Sequence, residues 1–135
     1  MKILHITNEF SKKNYSISSL IEYISKLFDN SESYKVKIVS SKIDETLFEK
    51  SRVQNFKLNS WIDFIFRASN LKKEFNNNDV IHVHGIWAPI QLFSIIYGSL
   101  FHEKKIVIHP HGMLLDEALK SAGSLKYFFK LITLY

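Results

Sequence analysis

The stretch Lys104-Lys105-Ile106-Val107-Ile108-His109-Pro110-His111-Gly112-Met113 limits the fold of this chain more than any other. Its short apolar core is bounded by lysines on one side and by Pro-His-Gly on the other. Such a run suits a strand covered on both faces in a parallel sheet. Parallel strands need crossover connections, so the rest of the chain has to supply helices between strands. At the carboxyl end of such a strand the chain leaves the sheet, and open α/β folds bind ligands in the crevice there. His111 and Gly112 are therefore the first candidates for function.

The remaining sequence supplies what that strand demands. Lys2 to Thr7 reads as a first strand burying Ile3, Leu4 and Ile6, and Asn8 to Asn14 as a polar loop. Ser16 is placed to cap a helix with Ile17, Leu20, Ile21, Ile24, Leu27 and Phe28 on one stripe, ending at Asp29-Asn30-Ser31. Tyr34 to Val39 reads as a second strand, and Val53 to Phe56 as a short third one after the polar region Ser40 to Arg52. Ser60-Trp61-Ile62-Asp63 matches a helix-start box, with Trp61, Phe64, Ile65, Ala68, Leu71 and Phe75 as the buried stripe. Asn76-Asn77-Asn78 stops that helix, asparagine tolerating the left-handed conformation at a helix end.

Asp79 to Gly85 is the fourth strand. Pro89 opens a helix that runs to about His102 and is apolar almost all round. The fifth strand follows, then a short helical piece from Asp116 to Lys120. An apolar segment from Leu125 to Tyr135 closes the chain. Strands alternating with helices predict an α/β fold: a doubly wound, mainly parallel Rossmann-like sheet of about five strands with helices on both faces. At 135 residues this is one domain, 1–135. An apolar helix that stops at the terminus usually packs on something that follows. The expectation is a domain truncated at its carboxyl-terminal end within a larger unit.

Composition closes several routes. Apolar residues make up 46% and charged residues 23%, as in soluble globular proteins. No apolar run reaches the ~18 residues of a membrane span, and the start Met1-Lys2-Ile3-Leu4-His5-Ile6 has no secretory pattern. Without cysteine there is neither a disulfide framework nor a thiolate metal site. A cytoplasmic setting is expected. The net charge of +5 comes largely from the pairs Lys12-Lys13, Lys72-Lys73 and Lys104-Lys105 with Lys120, Lys126 and Lys130. These read as a solvated face, or as a patch for a phosphorylated ligand or for anionic lipid, the last of which would place the chain at the inner face of the membrane. Nucleic acid is not an expected partner, because there are only two arginines and no recognisable module.

Two His-x-His pairs stand out, His82 with His84 and His109 with His111. Alternate strand residues share a face, so either pair could converge on a metal. A third ligand at a suggestive spacing is missing, and strand histidines near a sheet edge more often line a pocket or satisfy backbone groups. A small metal-dependent hydrolase is the weaker reading of these pairs, and no metal ligand is assigned. The stretch Thr7 to Lys12 has no Gly-x-Gly-x-x-Gly, and no phosphate-binding loop occurs, so no cofactor is expected. Gly85 and Gly112 each follow a strand and a histidine, either as plain turns or as places where a ligand reaches the backbone. Trp87 is either core or an aromatic wall for a sugar ring. Glu9 and Phe10, after the first strand, are further candidate contacts.

The segments Asp79-Val80-Ile81-His82-Val83-His84-Gly85-Ile86-Trp87 and Ile108-His109-Pro110-His111-Gly112-Met113-Leu114 resemble the amino-terminal domain of family 4 glycosyltransferases. The opening strand and Ala118-Leu119-Lys120 fit the same pattern. The resemblance implies a GT-B enzyme, retaining and metal-independent, with two Rossmann-like domains facing each other across a cleft. This chain would be the acceptor-side domain. The full enzyme would transfer a hexose from a nucleotide sugar to a glycan or lipid-linked acceptor in cell-surface polysaccharide assembly. His111 matches the histidine near the transferred sugar and is the implied catalytic residue. Gly112, Met113, His84, Gly85, Trp87, Glu9 and Phe10 are the implied substrate contacts.

The family's glycine pair after the first strand is replaced by Ser11-Lys12-Lys13-Asn14-Tyr15-Ser16. The nucleotide-sugar donor belongs to a second domain absent from these residues, so the chain alone is expected to be inactive. The alternative is a non-catalytic binding module that pairs with a separate donor-domain protein or with a membrane surface. Phe128, Phe129, Leu131, Ile132 and Leu134 motivate it.

Overall fold

The structure, a computed structural model, describes residues 1–29, 31, 33–44, 53–56, 61–101 and 105–115. Its elements are β1 (Lys2–Phe10), a 3-10 turn (Lys12–Asn14), α1 (Tyr15–Asp29), β2 (Lys35–Ile43) and β3 (Val53–Asn55), then α2 (Trp61–Asn77), β4 (Val80–His84), α3 (Pro89–Phe101) and β5 (Lys105–His109). The strands form one sheet in the order β3-β2-β1-β4-β5, and every pairing is parallel. β3 contributes three residues, so four strands carry most of the sheet.

The pleat divides the core into two faces. Ile6 pairs with Val39 on one side and Val83 on the other, while His5 pairs with Ile38 and His82. On the Ile6 face, Leu4, Ile6, Val39, Ile81 and Val83 pack with Leu71 and Phe75 of α2 and Ile90 of α3. On the other side, Ile17 and Ile21 of α1 pack with Ile38 and Phe10. Helices thus cover both faces of an α/β sheet. Leu4, Ile6, Leu71, Phe75, Ile81 and Ile90 have no exposed surface. Each such side chain stabilises the fold by about 1.5–3 kcal/mol through transfer from water.

The register of β1 on β4 is fixed at its start. The Lys2 N–H donates to the Asp79 carboxylate at 2.7 Å, and the Asp79 N–H returns a bond to the Lys2 carbonyl at 2.8 Å.

Several sequence expectations change. β1 does not stop at Thr7 but runs through Asn8 and Glu9 to Phe10, because β2 pairs with it as far as Ile43. Ser16 lies inside α1 rather than capping it. Leu20 and Leu27 are 42% and 57% exposed, so the buried stripe of α1 is narrower than the apolar spacing suggests, and Ser18 and Ser25 share it. Asn78 ends α2 without a left-handed backbone: its side-chain amide donates to the Glu74 carbonyl at 2.7 Å.

β5 is not covered on both faces. It is the edge strand among the described residues, and Val107 and Ile108 keep 37% and 43% exposure. The expected pieces Asp116 to Lys120 and Leu125 to Tyr135, the Ser60 cap and the side chains of Trp61, Phe64 and Ile65 lie outside the described residues. No helix among the described residues is long and apolar enough to cross a membrane.

Candidate functional site

The strand order places a switch point between β1 and β4. From β1 the chain steps outward to β2 and β3, then returns across β1 to β4 and β5 on its other side. Connections leave in opposite directions on the two sides of such a point, which opens a crevice at the carboxyl ends of the strands. Glu9, His84, Gly85 and the turn after β5 lie at that edge.

Five histidines gather there on one face of the sheet. In register, His5 neighbours His82, and Thr7 neighbours His84, which neighbours His109. The rings stack: His5 on His82 at 4.9 Å, and His84 on His109 at 4.8 Å with 9° between their planes. Three contacts are hydrogen bonds between ring nitrogens. His5 Nδ1 meets His84 Nε2 at 2.8 Å, His84 Nδ1 meets His111 Nε2 at 2.9 Å, and His82 Nδ1 meets His109 Nε2 at 2.9 Å. His5 and His84 are buried and His111 is exposed, so the first two bonds run from the interior to the surface.

Burial explains their protonation. Loss of water around His5 lowers its pKa to about 3, with His82 and His109 adding to the effect. The same loss lowers His84 to about 2, with His5, His109, His111 and His82 as further contributions. Burial, then His109, also lowers His82 and His111. These rings are neutral at physiological pH, each with one N–H and one bare nitrogen. No group of three or more His, Asp or Glu among the described residues is arranged to hold a metal ion.

The turn after β5 is built around an unusual backbone. Pro110 accepts from the Met113 N–H at 2.9 Å, and both central residues have positive φ, His111 at 49° and Gly112 at 77°. That is the sense of a type I′ turn. Gly112 takes it freely, but a side-chain-bearing residue in the left-handed region costs roughly 1–2 kcal/mol. His111 is the one non-glycine residue with positive φ among those described. Its strain aims the imidazole back at His84, and backbone strain of this kind gathers at functional sites.

The loop after β4 is clasped by a residue that sequence reasoning passed over. The Gln91 side chain donates to the His84 carbonyl at 2.6 Å and accepts from the Ala88 N–H at 2.9 Å. Gly85 has φ of 94°, and its N–H donates to the His109 carbonyl at 2.8 Å. A Cβ at Gly85 would sit 2.4 Å from Gln91 Nε2, so glycine is required by both conformation and space. His84, Gly85, His111 and Gly112 therefore come together across β4 and β5. Trp87 is half-buried in the same loop, and Met113 is half-buried beyond the turn.

Two expected contacts take other parts. Phe10 is fully buried against Ile17, Ile21 and Ile38, which makes it core and closes it to a ligand. Glu9 accepts from the Ser11 hydroxyl, while its carbonyl accepts from Asn14 Nδ2 at 3.2 Å. The Ser11 N–H donates to Ser18 Oγ at 3.1 Å. The segment that lacks the glycine pair is thus a self-bonded polar turn. Among the described residues the lysines do not form one patch: Lys12 and Lys13 follow the carboxyl end of β1, whereas Lys105 opens β5 at the opposite edge. A cavity of about 440 Å³ at that opposite edge is lined by Lys2, Lys35, Lys37 and Glu74, with Lys37 and Glu74 paired at 2.7 Å.

His5 belongs to this cluster, and sequence reasoning passed it over. Its signal was a polar residue inside the apolar run Ile3-Leu4-His5-Ile6, which demands a buried partner. The chain matches no protein-family model, no curated protein and no solved structure.

Proposed function

We propose that this chain is the acceptor-side domain of a family 4-like GT-B glycosyltransferase. In that reading the sheet is the Rossmann-like half of the enzyme that holds a glycan or lipid-linked sugar acceptor. A hexose arrives from a nucleotide sugar held by a donor domain. One observation carries the reading: two strand-end His-Gly turns, His84-Gly85 and His111-Gly112, meet beside the switch point of a parallel sheet. The outer nitrogen of His111 is then a hydrogen-bonding contact for a sugar hydroxyl. The open backbone at Gly112 lets a ring approach closely, and Trp87, half-buried in the loop after Gly85, would offer it an apolar surface.

Titration of ¹⁵N-labelled protein with short oligosaccharides tests this reading. The expected result is shifted amide signals at Gly85, Trp87, His111 and Gly112, with none at Lys2, Lys35 and Lys37 on the opposite edge. Shifts confined to that opposite edge, or none with any glycan, would sink it.

The second reading, a non-catalytic module, draws on the apolar surface around β5. Val107, Ile108, Leu114 and Leu115 are all exposed. Co-flotation with anionic vesicles and no response to glycans would favour it.

A further inference from the structure

We propose that His5 and His84 are positioning residues which hold His111 as a neutral ring of one tautomer. His111 then offers a fixed Nδ1–H donor and passes no proton into the protein. The inference starts from the two linked hydrogen bonds, His5 Nδ1 to His84 Nε2 and His84 Nδ1 to His111 Nε2.

Each nitrogen-to-nitrogen bond holds one proton, and each neutral imidazole carries one. If His84 is protonated on Nδ1, His111 Nε2 must be bare and His5 must carry its proton on Nδ1. If His84 is protonated on Nε2, both neighbours reverse. The three rings therefore share one choice: all Nδ1–H or all Nε2–H.

Changing that choice needs both ends of the chain. Both shared protons cross their hydrogen bonds. At the same time one proton leaves His111 Nδ1 and another must arrive at His5 Nε2. The outer exchange is with solvent, because His111 is exposed. The inner one has no counterpart: His5 Nε2 is buried and has no hydrogen-bond partner among the described residues. The relay ends blind, so what His5 Nε2 can satisfy sets the choice for all three rings. A buried N–H without an acceptor is rarer in proteins than a buried acceptor without a donor. That asymmetry selects the state with every proton on Nδ1, which leaves His5 Nε2 bare and turns His111 Nδ1–H outward.

A proton added at the outer end finds no home further in. Among the described residues, the charges outside the relay that act on the three rings come from His82 on β4 and His109 on β5, and no carboxylate opposes them. His111 therefore binds an oxygen acceptor, such as a sugar hydroxyl or a phosphate oxygen, without acting as a general base. Its assignment to a sugar rests on the function proposed above, but its tautomer does not.

Long-range ¹H–¹⁵N correlation of histidine-labelled protein reads each ring nitrogen directly. From about pH 6 to about pH 9, spanning the ordinary histidine range, His5, His84 and His111 should each show Nδ1 protonated and Nε2 bare. The minor form should stay below roughly one part in ten, the ratio an unsatisfied buried donor enforces. A tautomer at His111 unlike that of His84, an averaged signal, Nε2–H throughout, or a doubly protonated His111 in that range would each overturn the proposal.

His84→Phe cuts the relay while keeping a flat ring, because it can neither donate to His111 Nε2 nor accept from His5 Nδ1. It should return His111 to a tautomer mixture, whereas His82→Phe, outside the relay, should leave the His111 tautomer unchanged. An unaltered His111 tautomer in His84→Phe would also overturn it. The wild-type spectrum decides the matter if that variant does not fold. Loss of glycan response with the shared tautomer intact would remove the glycosyltransferase reading and leave this one standing.

Discussion

Burial separates His5 and His84 from the other histidines: each exposes 1% of its surface, while His82 and His109 are half-buried and His111 is exposed. Because the folded pKa values of the two buried rings are lowered, to about 3 and about 2, the unfolded chain binds more protons than the native one below the ordinary value of 6.5. Stability from these groups is therefore complete above about pH 7.5 and falls as the pH drops through the unfolded value. Between about pH 7.5 and pH 5.5 each residue should remove about 1.4 kcal/mol, so the pair removes close to ~3 kcal/mol. Carboxylates scarcely titrate over that window, which isolates the histidine contribution. Urea unfolding at the two pH values measures it, and His5→Phe, which keeps a flat ring against His82, should reduce the loss by about 1.4 kcal/mol. A stability unchanged between the two values would show that the buried rings accept protons, against their placement.

At the scale of elements, much of the fold was legible because β-branched runs and helical spacing mark opposite periods. The ends of β4 and β5 and their glycines could be read directly from His84-Gly85 and His111-Gly112. What could not be read was pairing across distance. That β1 lies between β2 and β4 is a property of the whole chain, and only that placement brings His5 against His84. The clasp by Gln91 was hidden for the same reason, a polar residue in an apolar helix having no local signal of its target. Phe10 was misplaced because the strand was ended at the first polar residues, although Asn8 and Glu9 continue it.

Helix packing on β5 adds a case where local preference misleads. Gly98, in the last turn of α3, would gain up to about 1 kcal/mol of helix propensity as alanine. Its Cβ, however, would lie 1.7 Å from Ile106 Cδ1 and 3.4 Å from Phe75 Cε1. Overpacking of this kind costs about 1–3 kcal/mol. Gly98→Ala should therefore lower stability by about 1 kcal/mol instead of raising it, as denaturant unfolding would record. A more stable variant would mean that Ile106 turns aside freely and that α3 does not brace β5.

For the whole molecule, the site joins a rigid wall to a softer one. β1 and β4 are interior strands, and Leu4, Ile6, Ile81 and Val83 have no exposed surface. Among the described residues β5 pairs only with β4; it keeps Val107 and Ile108 partly exposed and carries the turn that presents His111. Local opening follows the density of buried apolar contacts, so the free energy of opening should fall from β1 and β4 toward β5. Native-state hydrogen exchange should find the slowest amides at Leu4, Ile6 and Ile81. Those of β5 should exchange faster, by roughly a hundredfold or more for an opening cheaper by ~3 kcal/mol. The Gly85 N–H, bonded to the His109 carbonyl, should follow β5 rather than β4, since its partner moves with the edge strand. A ligand that bridges His84-Gly85 and His111-Gly112 would then raise protection on β5 and Gly85 together while leaving β1 unchanged. Equal protection across all four long strands would mean that β5 is held as firmly as the interior strands, and the site would be rigid on both walls.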